Sequence, residues 1–408
     1  MTRTVVLAGA LDTKGDEYAF ARDRFAAAGL DVVLVDIGVL GEATIEAEVD
    51  RSAVARAGGG DLDALREAHD RGAALATMEA GLTAVVARLR SEGRLDGAFA
   101  LGGTGGTSVT AAAFRQLPIG VPKLIVSTAA SGNTEQYVRE TDLVLVPSIV
   151  DIAGLNRISS TVIANGVGAL IGMIEHGAVQ APARDAPERP LVAASMFGVT
   201  TPCVTRARER LEGLGYEVVV FHMTGSGGRA MESLIRQRYF AGVLDATTTE
   251  LADHLVGGVF DAGPDRLTAA AESGVPQVVS VGALDMVNFG APGTVPERFA
   301  DRTFYEHNSS VTLMRTTAEE MAELGRQVGE RTRDAGRTAV LLPLRGVSAI
   351  DVDGEPFRDA AADDRLFQSV RDGVRGGSVR LEELDLDVND PAFADALVDR
   401  LHDLITRA

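Results

Sequence analysis

Asp96-Gly97-Ala98-Phe99-Ala100-Leu101-Gly102-Gly103-Thr104-Gly105-Gly106-Thr107 is the stretch that decides the fold. A short apolar run suited to a buried strand enters a turn of four glycines and two threonines. Residues 108–116 then have the composition of a helix. Glycine lets the chain turn sharply and lets its backbone come close to a ligand. Amides at a helix N-terminus, joined by threonine hydroxyls, donate to an anion. Strand, tight turn and helix together are the building block of a parallel α/β sheet. The same turn can also serve only to seat a helix closely on its sheet. It is not a P-loop, because no Gly-Lys-Ser/Thr follows, and it is not a Gly-x-Gly-x-x-Gly opening a first βα unit.

Working outward, strands are expected over 4–8, 32–36, 96–101, 123–127 and 143–147. Between them lie a helix over 17–28, with Tyr18, Ala21, Phe25 and Ala28 on one face, and a helical stretch over 61–93 broken near Gly72. A long helix over 154–176 closes the first half. Residues 178–189 are polar and proline-punctuated, the composition of a linker. The second half restarts in the same manner. Val5-Val6-Leu7-Ala8-Gly9 through Val32–Asp36 is paralleled by Val192-Ala193-Ala194-Ser195-Met196 through Val218–His222. Further strands are expected over 242–245, 277–281, 311–314 and 338–342. Helices are expected over 202–214, 229–236, 265–273, 317–334, 361–374 and 391–407. The expected class is α/β, with two Rossmann-like subdomains whose mainly parallel sheets are flanked by helices. Their expected bounds are 1–177 for a nucleotide-binding domain and 190–408 for a second α/β domain.

Composition narrows the function. A chain of 408 residues is long for one core. Its net charge of −19 repels polyanions, so nucleic acid is not an expected partner. Nearly all positive charge is arginine, and the two lysines, Lys14 and Lys123, sit beside strands as compact point charges. A single cysteine, Cys203, excludes an internal disulfide framework. No run approaches the ~20 apolar residues of a membrane span. The N-terminus enters a strand without a signal-peptide pattern, so no membrane association and a cytoplasmic location are expected.

In an open parallel sheet, ligands bind beyond the carboxyl ends of the strands. After the first strand come Gly9, Asp12, Thr13 and Lys14. Asp12 can hold a metal ion or a ribose hydroxyl, Thr13 can donate to phosphate, and Lys14 can neutralise it, or the group can simply cap the next helix. After the third strand come Gly102, Gly103, Thr104, Gly105, Gly106 and Thr107. After the fourth come Ser127, Thr128, Ser131, Gly132, Asn133 and Thr134, too many small and hydroxylated residues for a turn alone. The second half offers His222, Asp245, Glu250 and His307 as acid–base groups, and Arg266 and Arg315 as clamps for a carboxylate. For Glu250 the plainer reading is a solvated first helical turn. No His-Glu-x-x-His or Gly-x-Ser-x-Gly motif occurs. Cys203 reads more readily as packing than as a nucleophile.

These loops carry a family resemblance. Gly9-Ala10-Leu11-Asp12-Thr13-Lys14, the turn 101–107, Val126-Ser127-Thr128-Ala129-Ala130-Ser131-Gly132-Asn133-Thr134, the stretch 151–159, Met196-Phe197-Gly198-Val199-Thr200-Thr201-Pro202-Cys203 and the stretch 282–290 resemble the Tm-1-like ATP-binding family, UPF0261. The resemblance spans nearly the whole chain. It implies two Rossmann-like subdomains, ATP with magnesium on the first, and a homodimer. The family's ATP loops match positions 9–14, 102–107 and 127–134. An ATP-binding enzyme acting on a small hydroxylated or carboxylated metabolite at a cleft between the domains is the leading expectation. A regulatory protein without turnover, and an ATP-independent lyase or hydrolase run by the second domain, are the alternatives.

Overall fold

In the computed structural model, residues 2–177 and 189–407 are described. The expected linker lies outside them apart from Arg189. The chain divides into two units, one on each side of the residues left out.

The first unit is built on five strands: β1 (Thr4–Gly9), β2 (Asp31–Asp36), β3 (Gly97–Gly102), β4 (Lys123–Ser127) and β5 (Val144–Pro147). All pair in parallel, in the order β2-β1-β3-β4-β5. Val5 stands opposite Val32 on one side and Gly97 on the other. The inner strands are near-continuous apolar runs because helices cover both faces of the sheet. Val6, Ala8, Val33 and Val35 face one core, with Met78 and Leu82 of the helix Arg71–Ser91. Val5, Leu7 and Leu34 face the other, with Tyr18, Phe25 and Leu170. Phe25 meets Phe99 edge-to-face, with ring centres 5.3 Å apart. Strand order reverses between β1 and β3, so their carboxyl ends form the crevice where such sheets bind ligands.

The second unit has a six-stranded parallel sheet and a small antiparallel one. In chain order the strands are β6 (Leu191–Met196), β7 (Glu217–His222), β8 (Gly242–Thr247), β9 (Gln277–Gly282), β10 (Met286–Phe289), β11 (Phe304–Asn308), β12 (Val311–Arg315), β13 (Thr338–Pro343) and β14 (Arg380–Leu384). The large sheet runs β14-β13-β9-β8-β6-β7, and the small one runs β10-β12-β11. Taken from the other edge, β7-β6-β8-β9 repeats the β2-β1-β3-β4 order of the first unit. The parallel between the two halves of the sequence is therefore a parallel of topology.

Two local expectations are corrected, and one strand is added. The stretch 61–93 breaks at His69–Asp70, not at Gly72. His69 adopts left-handed φ of 51°, and Asp70 caps the next helix by accepting from the Ala73 amide at 3.0 Å. Gly72 lies within that helix's first turn. Only Ala269–Ser273 of the stretch 265–273 is helical, because Leu267 has φ of 71°. Glu306, His307 and Asn308 belong to strand β11. That strand is an exposed, polar edge and lacks the apolar alternation that marks a half-buried strand.

The helices Arg71–Ser91 and Arg157–His176 are long and apolar enough to cross a membrane by length and composition. Both contribute residues to the cores beside the five-stranded sheet, Leu82 and Val85 from one, Val167 and Leu170 from the other.

Candidate functional site

The glycine turn ends β3 and begins the helix Thr104–Phe114. Gly103 is its N-cap residue, in extended conformation, and no side chain caps it. The Thr107 amide bonds the Gly103 carbonyl at 2.9 Å. The amides of Thr104, Gly105 and Gly106 have no acceptor among the described residues. They are the orphan donors that make a helix N-terminus an anion site. Two side chains stand at its rim. A Cβ placed on Gly103 would lie 3.7 Å from the Thr128 hydroxyl, and one on Gly105 would lie 3.3 Å from Arg71 Nη2. The Arg71 guanidinium has no hydrogen bond or ion pair to any described residue.

Arg71 also lines a cavity of about 480 Å³ with the β1 loop. Ala10, Asp12 and Thr13 form its polar end, and Ile37, Val39, Leu40, Leu65 and Leu75 form an apolar wall. Leu75 lies 3.9 Å from the Gly105 Cβ position, so the glycine turn adjoins the cavity wall. Leu40 is 81% exposed over the cavity. Asp12 Oδ2 accepts from the Gly41 amide at 3.0 Å, while its buried Oδ1 has no partner among the described residues.

Other expected residues hold the frame. Gly9 is glycine because a Cβ there would fall 1.9 Å from Tyr18 Oη. That hydroxyl accepts from the Leu101 amide at 2.7 Å and bridges to the Ala8 carbonyl at 2.7 Å, joining the ends of β1 and β3. A Cβ on Gly102 would press on Gly106 Cα at 3.4 Å. Lys14 donates to the Ile152 carbonyl and does not line the cavity. Ser127 and Thr107 bond each other at 2.6 Å, buried behind the turn, and Ser127 also accepts from the Ala129 amide. Asn133 caps Glu135 at 3.0 Å, while Ser131 and Gly132 are exposed and Thr134 is half-buried. Lys123 is buried at the opposite end of β4, donating to the carbonyls of Pro118 and Val121 and paired with Asp142.

The second unit treats its own glycine-rich loop differently. The helix Ser226–Arg236 follows Gly225, and Glu250 Oε1 accepts from the amides of Gly225 at 2.7 Å and Gly228 at 3.1 Å. A Cβ on Gly228 would fall 1.9 Å from Glu250 Oε2. The anion position at this helix end is filled by the chain's own carboxylate. Glu250 Oε2 in turn accepts from Arg266 Nε at 2.8 Å. Arg266 forks onto Asp245 at 2.6 and 2.7 Å and reaches Glu232 at 3.2 Å. Asp245, Glu250 and Arg266 have no exposed surface. Burial pushes the Glu250 and Glu232 carboxyls up, against the pull of Arg266. Arg315 is likewise engaged, with Asp363 at 2.8 Å and the Phe357 carbonyl at 2.7 Å.

His222 and His307 are exposed. His222 is exposed because β7 is the edge strand of its sheet. His222 stacks on Phe197 with ring centres 5.4 Å apart, and partial burial lowers its pKa. His307 Cε1 lies 3.8 Å from the Cβ position of Gly198. The two imidazoles thus flank the Phe197–Gly198 step beyond β6. Burial pushes the Cys203 thiol up to about 12, which leaves it inert at neutral pH. No group of three or more His, Cys, Asp or Glu among the described residues is arranged to hold a metal ion.

Two parallel α/β units with the same inner strand order define the class. The N-terminal domain of the uncharacterised protein family UPF0261 matches residues 3–178, and its C-terminal domain matches residues 189–405. The chain belongs to the UPF0261 family. A UPF0261 protein of Clostridium tetani is 47% identical over the whole of both chains. The tomato protein named ToMV resistance protein Tm-1 is 45% identical over 81% of this chain and 44% of its own length. Among solved structures, a UDP-N-acetylglucosamine 2-epimerase aligns with 68% of this chain and 79% of its own at 11% identity, with a TM-score of 0.23.

Proposed function

We propose that the first unit binds ATP with magnesium. One contrast carries the reading. The glycine-rich helix start of the second unit is capped by Glu250, whereas that of the first has three amides and a guanidinium beside it without partners among the described residues. Phosphate oxygens would accept from the Thr104, Gly105 and Gly106 amides, with Arg71 and Thr128 completing the set. A base would lie on the apolar wall of the cavity, with Leu40 over it. For magnesium the donor set fits. Asp12 presents a buried carboxylate oxygen without a partner among the described residues, and magnesium commonly takes one or two carboxylates, with phosphates and water filling the rest. Magnesium would supply neutralisation of phosphate charge.

For chemistry beyond binding, the exposed His222 and His307 are the acid–base candidates toward a small hydroxylated or carboxylated metabolite. The burial of Asp245, Glu250, Arg266 and Arg315 favours giving these four a structural role. That burial also supports a second reading, in which ATP regulates the protein without turnover. Family resemblance extends the proposal to a cytoplasmic homodimer.

Titration calorimetry with ATP–magnesium tests the binding. Arg71→Ala is expected to weaken it about 10- to 100-fold, since a hydrogen bond to a charged group contributes about 1.5–3 kcal/mol. An unchanged affinity would remove Arg71 from the site.

A further inference from the structure

Beyond β9 and β13 lies a second buried ion cluster that the nucleotide reading does not use. Asp285 follows β9, Arg315 ends β12, Asp351 and Arg358 lie in the loop after β13, and Asp363 is in the helix Ala360–Val374. Asp363 is bridged by Arg315 and Arg358, and Arg358 also meets exposed Asp353 at 2.9 Å. Asp351 takes the Val347 amide at 3.0 Å and stands 3.5 Å from Arg315. Asp285 has no exposed surface, and its carboxyl receives one hydrogen bond, from Ser348 at 2.8 Å. Thr316, the residue after β12, meets it through backbone alone, its amide bonding the Asp285 carbonyl. One oxygen of Asp285 and one of Asp351 are buried without hydrogen-bond partners among the described residues. Three buried carboxyls thus face two guanidiniums, and an uncompensated buried charge is too costly to keep when a proton can remove it.

The loop that carries this cluster is a cover. Its Val347 carbonyl accepts from the Ala283 amide at 2.8 Å, and its Ala349 amide donates to the Val199 carbonyl at 3.0 Å. Ile350 and Phe357 close an apolar cluster with Phe197, Val199 and Ala283. We propose that the loop 344–359 is a pH-sensitive cover over the residues that follow β6 and β9, latched by one proton shared among Asp285, Asp351 and Asp363. Burial raises all three carboxyls, and the Asp351 carboxylate adds to it for Asp285 and Asp363. The closed loop therefore holds a proton that the opened, hydrated loop gives up. Closure is favoured at low pH and lost as pH rises through the raised value.

Hydrogen exchange of the amides at 347–357, corrected for the intrinsic effect of pH, tests this on the full chain from about pH 5 to about pH 9, which spans the rise and the levelling-off. Wild type is expected to show opening that grows up to about tenfold per pH unit from the ordinary carboxylate range up to the raised value and levels off above it, as release of one proton on opening requires. Asp285→Asn, neutral throughout, is expected to change by less than about twofold over the same range. A flat wild-type profile, or equal slopes in the two proteins, would overturn the latch. If the variant does not fold, infrared difference spectra of wild type decide. A protonated-carboxyl band present at neutral pH and lost in alkali supports the latch, and its absence at neutral pH overturns it.

Discussion

Gly103 and Gly228 are both glycines beside a helix start, and a side chain would do different things at each. At Gly228 a Cβ runs into Glu250. At Gly103 the backbone is extended and the nearest atom is 3.7 Å from the Cβ position, so the fold itself tolerates a larger residue. Gly103→Val is therefore expected to keep its thermal midpoint while losing ATP by blocking approach to the amides. Loss of both together would mean a structural role. Glu250→Ala should behave in the opposite way. It leaves Arg266 and two helix amides short of a buried partner, at a cost of about 3–5 kcal/mol in urea unfolding, with ATP affinity unchanged. The glycines were legible in the sequence. Which helix start was capped from within the chain was not, because Glu250 lies 25 residues from the Gly225 amide it caps. Arg71 was missed for the same reason, being brought to Gly105 from another helix by tertiary packing.

Among elements, the buried parallel strands were legible because their apolar runs have one interpretation at that length, bounded by glycine turns. Of the short antiparallel strands, β12 was legible over 311–314, while β10 and β11 were not. β11 is polar and exposed, and its pairing with β12 is what makes it a strand. The helix break at His69–Asp70 bears on the proposed site, because it starts a new first turn at Arg71. Asp70 holds that turn through its cap. Asp70→Ala is expected to cost about 1 kcal/mol in thermal unfolding and to weaken ATP binding several-fold, with Asp70→Ser restoring both. Restored stability without restored affinity would show that the cap does not position Arg71.

For the whole molecule, the same inner strand order occurs twice, and the two units differ in what closes their ligand edges. The first leaves a cavity beside an uncapped helix start. The second fills its glycine loop with Glu250 and covers the ends of β6 and β9 with the loop 344–359. Replacing both His222 and His307 with alanine is therefore expected to leave ATP affinity within about twofold while removing any ATP-linked turnover of a small substrate. Turnover that survives would move the chemistry elsewhere. The most direct test of the central claim is titration of wild type and Gly103→Val with ATP–magnesium in parallel, with thermal midpoints measured on the same samples. The account predicts saturable binding to wild type and none to a variant that melts at the same temperature. Equal binding by the two proteins, or none by wild type, would contradict it.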